Sequence, residues 1–207
     1  MENEGTTNRV GLFGRVGSQP ELSHKIYGEA FYIFKLRIKR LSGVCDELPI
    51  TFSERAAEPE SIFEGCGVYV FGQLRSYNKL VNGVSRLILT VFAHEITRSD
   101  AEEKNEIYLR GFICKPPVYR TTPFEREIAD LLIAVNRSYN KSDYIPCIAW
   151  GRNARFAQSL PVGACVELEG RVQSREYQKA LPDGQVVTRV AYEVSAATIS
   201  VCEREDL

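Results

Sequence analysis

Three aromatic residues in the C-terminal half, Tyr144, Trp150 and Tyr177, fall among Arg137, Arg152, Arg171, Arg175 and Lys179. Rings of this kind offer flat faces on which unpaired bases stack, each contributing about 1–3 kcal/mol, while cations meet phosphates. Whether they can act together depends on whether they share a face, and on an extended strand alternate residues do. Tyr144, Pro146, Ile148 and Trp150 then alternate with Ile145, Cys147 and Ala149. Arg171, Gln173, Arg175 and Tyr177 share a face that excludes Val172 and Ser174. Three aromatics and two arginines therefore line one groove. Plainer readings exist for each residue alone. Trp150 could be core, Tyr144 and Tyr177 ordinary strand residues, and Arg137 or Arg152 a strand-end cap or a partner of Asp143. Lys179, beside the turn Leu181-Pro182-Asp183-Gly184, could track phosphate or solvate the turn. The shared parity, with arginines interleaved, favours the groove.

The N-terminal half carries a thinner set. Lys35, Arg37 and Lys39 alternate along one strand face, and Arg75, Tyr77 and Lys79 along another. At the spacing that relates the halves, Glu47 stands for Tyr144 and Ser53 for Trp150, so the strand platform is missing. What remains suits electrostatic tracking of a strand and one stacked base, with a solvated charged face as the alternative. The expectation is a division of labour: the second half grips bases, and the first guides phosphate or supplies subunit contacts. On that basis a Trp150 substitution should cost far more affinity than a Phe52 substitution.

These residues sit in an internal repeat. Gly14, Pro20, Leu36, Ile38 and Arg40 recur as Gly111, Pro117, Ile133, Val135 and Arg137 at a constant offset of 97. Asp46 and Pro49 recur as Asp143 and Pro146, and Gly65 and Gly72 as Gly163 and Gly170 one residue later. Leu87, Leu89, Val91 and Ile96 correspond to Val190, Tyr192, Val194 and Ile199. Within each copy the dominant period is two: Tyr32, Phe34, Leu36 and Ile38 alternate with Phe31, Ile33, Lys35, Arg37 and Lys39, the pattern of a half-buried strand. Short helices are expected at 53–63 and 153–160. Gly72 and Gly170 interrupt strands where a small barrel would bend. The expected fold is all-β with short helices, two tandem five-stranded OB-fold barrels, with a β-sandwich as the alternative. The expected boundaries are a flexible N-terminus at 1–7, barrels at 8–97 and 106–201, a polar linker at 98–105 and a short tail at 202–207.

Composition excludes several classes. With a net charge of -1, 44% hydrophobic and 26% charged residues, the 207-residue chain is no histone-like polycation, although charge distribution over faces still permits nucleic-acid binding. No phosphate-binding Gly-x-x-x-x-Gly-Lys loop and no Gly-x-Ser-x-Gly elbow occurs. His24 and His94 are too few for common zinc or triad chemistry, so no catalytic residue, metal or cofactor is expected. Six cysteines at 45, 66, 114, 147, 165 and 202 lack any Cys-x-x-Cys pair. Without an apolar run of membrane-spanning length, reduced thiols in a cytoplasm and no membrane contact are expected.

The second half resembles the bacterial single-stranded DNA-binding protein family. The resemblance is carried by Ala134-Val135-Asn136-Arg137, Asp143-Tyr144-Ile145-Pro146, Ala149-Trp150-Gly151-Arg152, the run from Glu167 to Tyr177, and Tyr192-Glu193-Val194. The first half is similar more loosely, through Pro20-Glu21-Leu22, Gly28 and Val70-Phe71-Gly72-Gln73-Leu74. The resemblance implies OB barrels, binding of single-stranded DNA without catalysis, and base stacking at Tyr144, Trp150 and Tyr177. It also implies four barrels displayed together, hence a homodimer. Two departures stand out. Glu125 replaces the glycine matched by Gly28, and residues 200–207 show no acidic Pro-Phe tip for recruiting other proteins. The rival readings are an OB-fold adaptor of a primosome or repair complex, an RNA binder, and an OB-fold nuclease.

Overall fold

The computed structural model describes residues 7–202 except 82, 182 and 183. The expected flexible N-terminus and C-terminal tail, apart from Thr7 and Cys202, lie outside the described residues. The described residues form twelve strands: β1 (Asn8–Val16), β2 (Glu21–Ile26), β3 (Glu29–Lys39), β4 (Cys45–Ser53), β5 (Gly67–Val81), β6 (Val84–Arg98), β7 (Lys104–Ile113), β8 (Val118–Thr121), β9 (Glu127–Arg137), β10 (Lys141–Trp150), β11 (Cys165–Ala180) and β12 (Val186–Val201). Among the described residues the one α-helix is α1 (Arg152–Ala157).

Each half closes on itself in the same way. The first runs β3-β4-β6-β5-β1 and returns through Arg15↔Arg37 and Val16↔Leu36. The second runs β9-β10-β12-β11-β7 and returns through Phe112↔Ala134 and Ile113↔Ile133. In each, one parallel pairing (β4 with β6, β10 with β12) joins otherwise antiparallel neighbours. β2 and β8 lie outside these rings as arms hairpinned onto β3 and β9. These are the two five-stranded OB barrels expected from the repeat. Alternate residues fill them: Leu12, Phe34, Leu36, Leu48, Ile50 and Leu74 in the first, and Leu109, Ile133, Ile145, Val166, Leu168 and Val194 in the second, are all fully buried.

The repeated glycines have a steric cause. A Cβ on Gly72 would lie 2.1 Å from the Phe92 carbonyl oxygen, and one on Gly170 would lie 2.1 Å from that of Ser195. Both sit at bulges, between Phe71 and Gly72 and between Glu169 and Gly170, where the long strands turn the corner of the barrel.

The halves form one continuous sheet. β1 pairs with β7 from Asn8↔Leu109 to Phe13↔Lys104, so Arg98 belongs to β6, Lys104 and Asn105 to β7, and only 99–103 of the expected linker lies between strands. A polar lock repeats on both sides of the junction. Asp46, buried in the first half, accepts from Arg40 Nε at 2.7 Å and from the Ser174 backbone N–H of the second half at 2.7 Å. Asp143, equally buried in the second half, accepts from the Ser76 backbone N–H of the first half at 2.7 Å and from Arg75 Nη1 at 3.1 Å. Arg137 lies 3.5 Å from it. A buried carboxylate is tolerated only when its charge and lone pairs are met in this way.

Two expectations fail. Residues 53–63 form no α-helix: β4 runs through Ser53, and Pro59 opens a single 3-10 turn, Pro59–Ser61. Proline lacks the N–H and the backbone room to continue a helix begun before it, whereas Arg152–Ala157 contains neither proline nor glycine. The six thiols are not all reduced. Val166 pairs with Val201, which brings the flanking Cys165 and Cys202 to a Cα separation of 5.4 Å as a disulfide, while Cys45, Cys66, Cys114 and Cys147 are free.

Candidate nucleic-acid interface

Register fixes which side chains share the outer face of the second barrel. Trp150 stands opposite Ile128 and Tyr144 opposite Ala134, while Ile148 pairs with Ser195 on β12 and Gln173 with Glu193. Tyr144, Trp150 and Tyr177 are 47%, 38% and 37% exposed, in a barrel whose inward positions are near zero. Trp150 is therefore a surface residue rather than core. Its Nε1–H donates to Ser195 Oγ at 3.2 Å, which sets the ring plane against β12. The ring also borders a groove of about 910 Å³ that reaches Arg171 and crosses β7 to Arg9 and Tyr69 of the first half.

The cations of this face are held by short tethers. Arg171 Nη2 donates to Gln173 Oε1 at 3.4 Å, and Arg175 Nε lies 3.6 Å from Glu193 while its guanidinium sits 5.9 Å from the Tyr177 ring centroid. Gln173 in turn donates to Glu193 at 2.7 Å. The arginine-carboxylate pair is more than half exposed on the arginine side, so it contributes little in water and can exchange for a phosphate. Arg152 and Lys179 are exposed. Arg137, by contrast, is turned to Asp143.

In the first barrel, most of the expected phosphate-tracking cations meet protein groups. Lys35 Nζ donates to the Tyr192 hydroxyl of the second half at 2.7 Å, Arg37 pairs with Glu47 at 2.7 Å, and Arg75 is bound to the buried Asp143. Tyr77, Lys39 and Lys79 are exposed. Glu47, which stands where the second half has Tyr144, is the carboxylate that holds Arg37. Phe52 is fully buried against Phe34 and Tyr32, so its substitution tests stability and not affinity.

The hairpin at Glu125 differs from its counterpart: Ile26 pairs with Glu29 across Tyr27 and Gly28, both at positive φ, whereas Thr121 pairs with Glu127 across a longer turn in which only Glu125 has positive φ. Glu125 adopts a φ of 58° and its N–H donates to the Thr122 carbonyl at 2.9 Å. Two features lie outside the expected site. The Asp46/Asp143 locks were signalled by a repeated aspartate six residues after a repeated arginine. The other is an aromatic cluster on the first barrel: His24 stacks on Phe31 with centroids 4.9 Å apart, Phe31 lies 6.1 Å from Phe92, and Phe92 lies 5.7 Å from His94. Burial, and secondarily the charge of Arg75, holds His94 below the ordinary imidazole pKa.

Comparison with known proteins bears on this arrangement. A profile described as the single-strand binding protein family matches residues 104–202. Single-stranded DNA-binding protein 3 of Streptococcus agalactiae is 32% identical over 96 residues, covering 43% of this chain and 70% of that protein. Single-stranded DNA-binding protein A of Bacillus subtilis is also 32% identical over 96 residues, covering 43% of this chain and 56% of that protein. The chain spans about half the length of such relatives, 48% for protein 1 of Staphylococcus aureus. In three dimensions, the single-stranded DNA-binding protein of Thermus aquaticus superimposes with a TM-score of 0.78 at 21% identity, over 97% of this chain and 95% of that one. That likeness extends the shared fold to both halves.

Proposed function

Since the chain belongs to the single-strand binding protein family, we propose that it binds single-stranded DNA without catalysis and with little regard to sequence. The observation that carries this reading is the outer face of β10 and β11, where Trp150 borders the groove that reaches Arg171, Tyr177 lies under Arg175, and Tyr144 stands exposed. Bases stack on the three rings, and every base has a face to offer, so the grip is indifferent to sequence. The phosphates take Arg171 and Arg175 from their tethers at Gln173 and Glu193. Arg152 and Lys179 extend the cationic path at the two ends of the platform. Arg137 acts indirectly by holding Asp143, and with it the start of β10.

The first barrel adds Lys39, Tyr77 and Lys79. Lys35, Arg37 and Arg75 serve mainly the protein frame. The assembly is a homodimer in the cytoplasm, presenting four barrels to one strand. The outward face of β5-β1-β7-β11 offers a second copy the half-buried Phe13–Tyr69 pair, with ring centroids 4.5 Å apart, and Tyr108 under Arg9. The roles served are replication, recombination or repair.

The test is fluorescence anisotropy of a labelled oligo-dT strand against a duplex of equal length, over a range of salt. Tight single-strand binding that weakens with salt supports the reading, because each displaced phosphate counterion adds about 0.7 to the log–log slope. Equal affinity for duplex, or none for either, refutes it.

A further inference from the structure

We infer that the first barrel has its own base-stacking platform, made of His24, Phe31 and Phe92, on the face equivalent to that of Trp150. The inference rests on the proposed binding of single strands and extends it to a site that the strand-by-strand correspondence conceals.

The two outer faces can be superposed by register. Trp150 pairs with Ile128 in the second barrel, and its counterparts Ser53 and Phe31 pair in the first. Trp150 also contacts Ser195, whose counterpart by the offset of the closing strands is Phe92. The large ring is thus lost from the middle position and regained at both neighbours. Where the second barrel has isoleucine, tryptophan and serine across three strands, the first has phenylalanine, serine and phenylalanine.

These rings are not core. Phe31 and Phe92 are only partly buried, and neither belongs to the hydrophobic cluster filling the barrel or to the half-buried residues packed on it. They pack on one another, and Phe31 packs on His24 and Phe92 on His94, both imidazoles being exposed. The imidazole lies 5° from parallel with the Phe31 ring, the same kind of ring-on-ring contact a base makes with an aromatic side chain. A cation stands nearby in the equivalent place: Arg55 is the counterpart of Arg152 at the offset of 97, and its side chain is 80% exposed. Its ion pair, 3.3 Å to Glu29, is of the exposed kind that yields readily to a phosphate. The occupant with rings to stack and phosphates to match is a single strand running on from the Trp150 platform.

The experiment compares wild type with Phe31→Leu/Phe92→Leu, and with Phe31→Tyr/Phe92→Tyr, which keeps the rings. Two oligo-dT probes are used: one of about 8 nucleotides, which one barrel accommodates, and one of about 35, which reaches both. Binding of the short probe, read by Trp150 quenching, should be unchanged in the leucine variant and shows that the protein is folded. Affinity for the long probe, read by anisotropy, should fall about tenfold in the leucine variant, and the tyrosine variant should restore it. Photo-crosslinking of iodouracil-substituted long probe should label peptides containing residues 24–31 or 92–94. Unchanged long-probe affinity with no label on these peptides overturns the inference while leaving the Trp150 reading intact. Failure of quenching in wild type defeats that reading instead, and the crosslinks then decide the first barrel alone.

Discussion

The two barrels share a skeleton and differ on their skin. Both close through the same five-strand circuit, both turn their corners at a glycine with no room for a Cβ, and both bury an aspartate against the other half. On the outer face of the second barrel Arg171 shares a groove with Trp150, and Arg175 lies over the Tyr177 ring. The first commits Lys35 and Arg75 to the second half and Arg37 to Glu47. The same positions in a duplicated fold can therefore stand at the surface or be tied to a neighbour, depending on what faces them. The first barrel gives up cations to the junction and carries rings on β3 and β6, on either side of β4.

The comparison can be broken most forcefully at the shared frame. Asp143→Ala strands Arg75 and the Ser76 N–H at the junction, and should cost about 3–5 kcal/mol, read as a lower midpoint in urea unfolding. Asp46→Ala, its counterpart, should cost a similar amount if the lock is symmetric. A loss confined to one of the two would show that the halves are not held equivalently.

At the ligand face the effect is smaller. Trp150→Ala should lower single-strand affinity by about 1–3 kcal/mol with little change in unfolding, whereas Phe52→Ala should cost about 3–5 kcal/mol of stability as a buried aromatic. The cations sharpen the contrast further. Arg171→Ala and Arg175→Ala should each reduce the salt slope of binding by about 0.7, while Lys35→Ala leaves it unchanged because Lys35 already serves Tyr192. The smallest effect concerns one hairpin. Glu125 holds a left-handed backbone that costs a non-glycine residue about 1 kcal/mol, so Glu125→Gly should raise the thermal midpoint slightly, and its counterpart Gly28→Glu should lower it.

Much of this was legible in the chain because barrels write their geometry locally. Period-two alternation placed Tyr144, Trp150 and Tyr177 on the outside, and the constant offset between Gly14 and Gly111 or Asp46 and Asp143 revealed the duplication. What escaped depends on partners distant in sequence. Lys35 reads as a free cation until β12 brings Tyr192 to it, and Arg75 until β10 brings Asp143. Phe31 and Phe92 share a face only because β3, β4 and β6 are neighbours, so aligning each strand with its own counterpart records the loss at Ser53 and misses the gain beside it. Cys165 and Cys202 lie 37 residues apart and meet only through the register of β11 and β12. The helix expected at 53–63 was a misread of polar turn residues, with Pro59 as the overlooked stop.

The most direct measurement uses Trp150, the one tryptophan of the chain, as its own reporter: titration with oligo-dT at low and high salt, with duplex DNA as control. Strong quenching by the single strand alone, weakened by salt, is the predicted result and places a base on the indole. An indole that stays unquenched while no complex forms would contradict the account and leave the exposed face of β10 and β11 without its ligand.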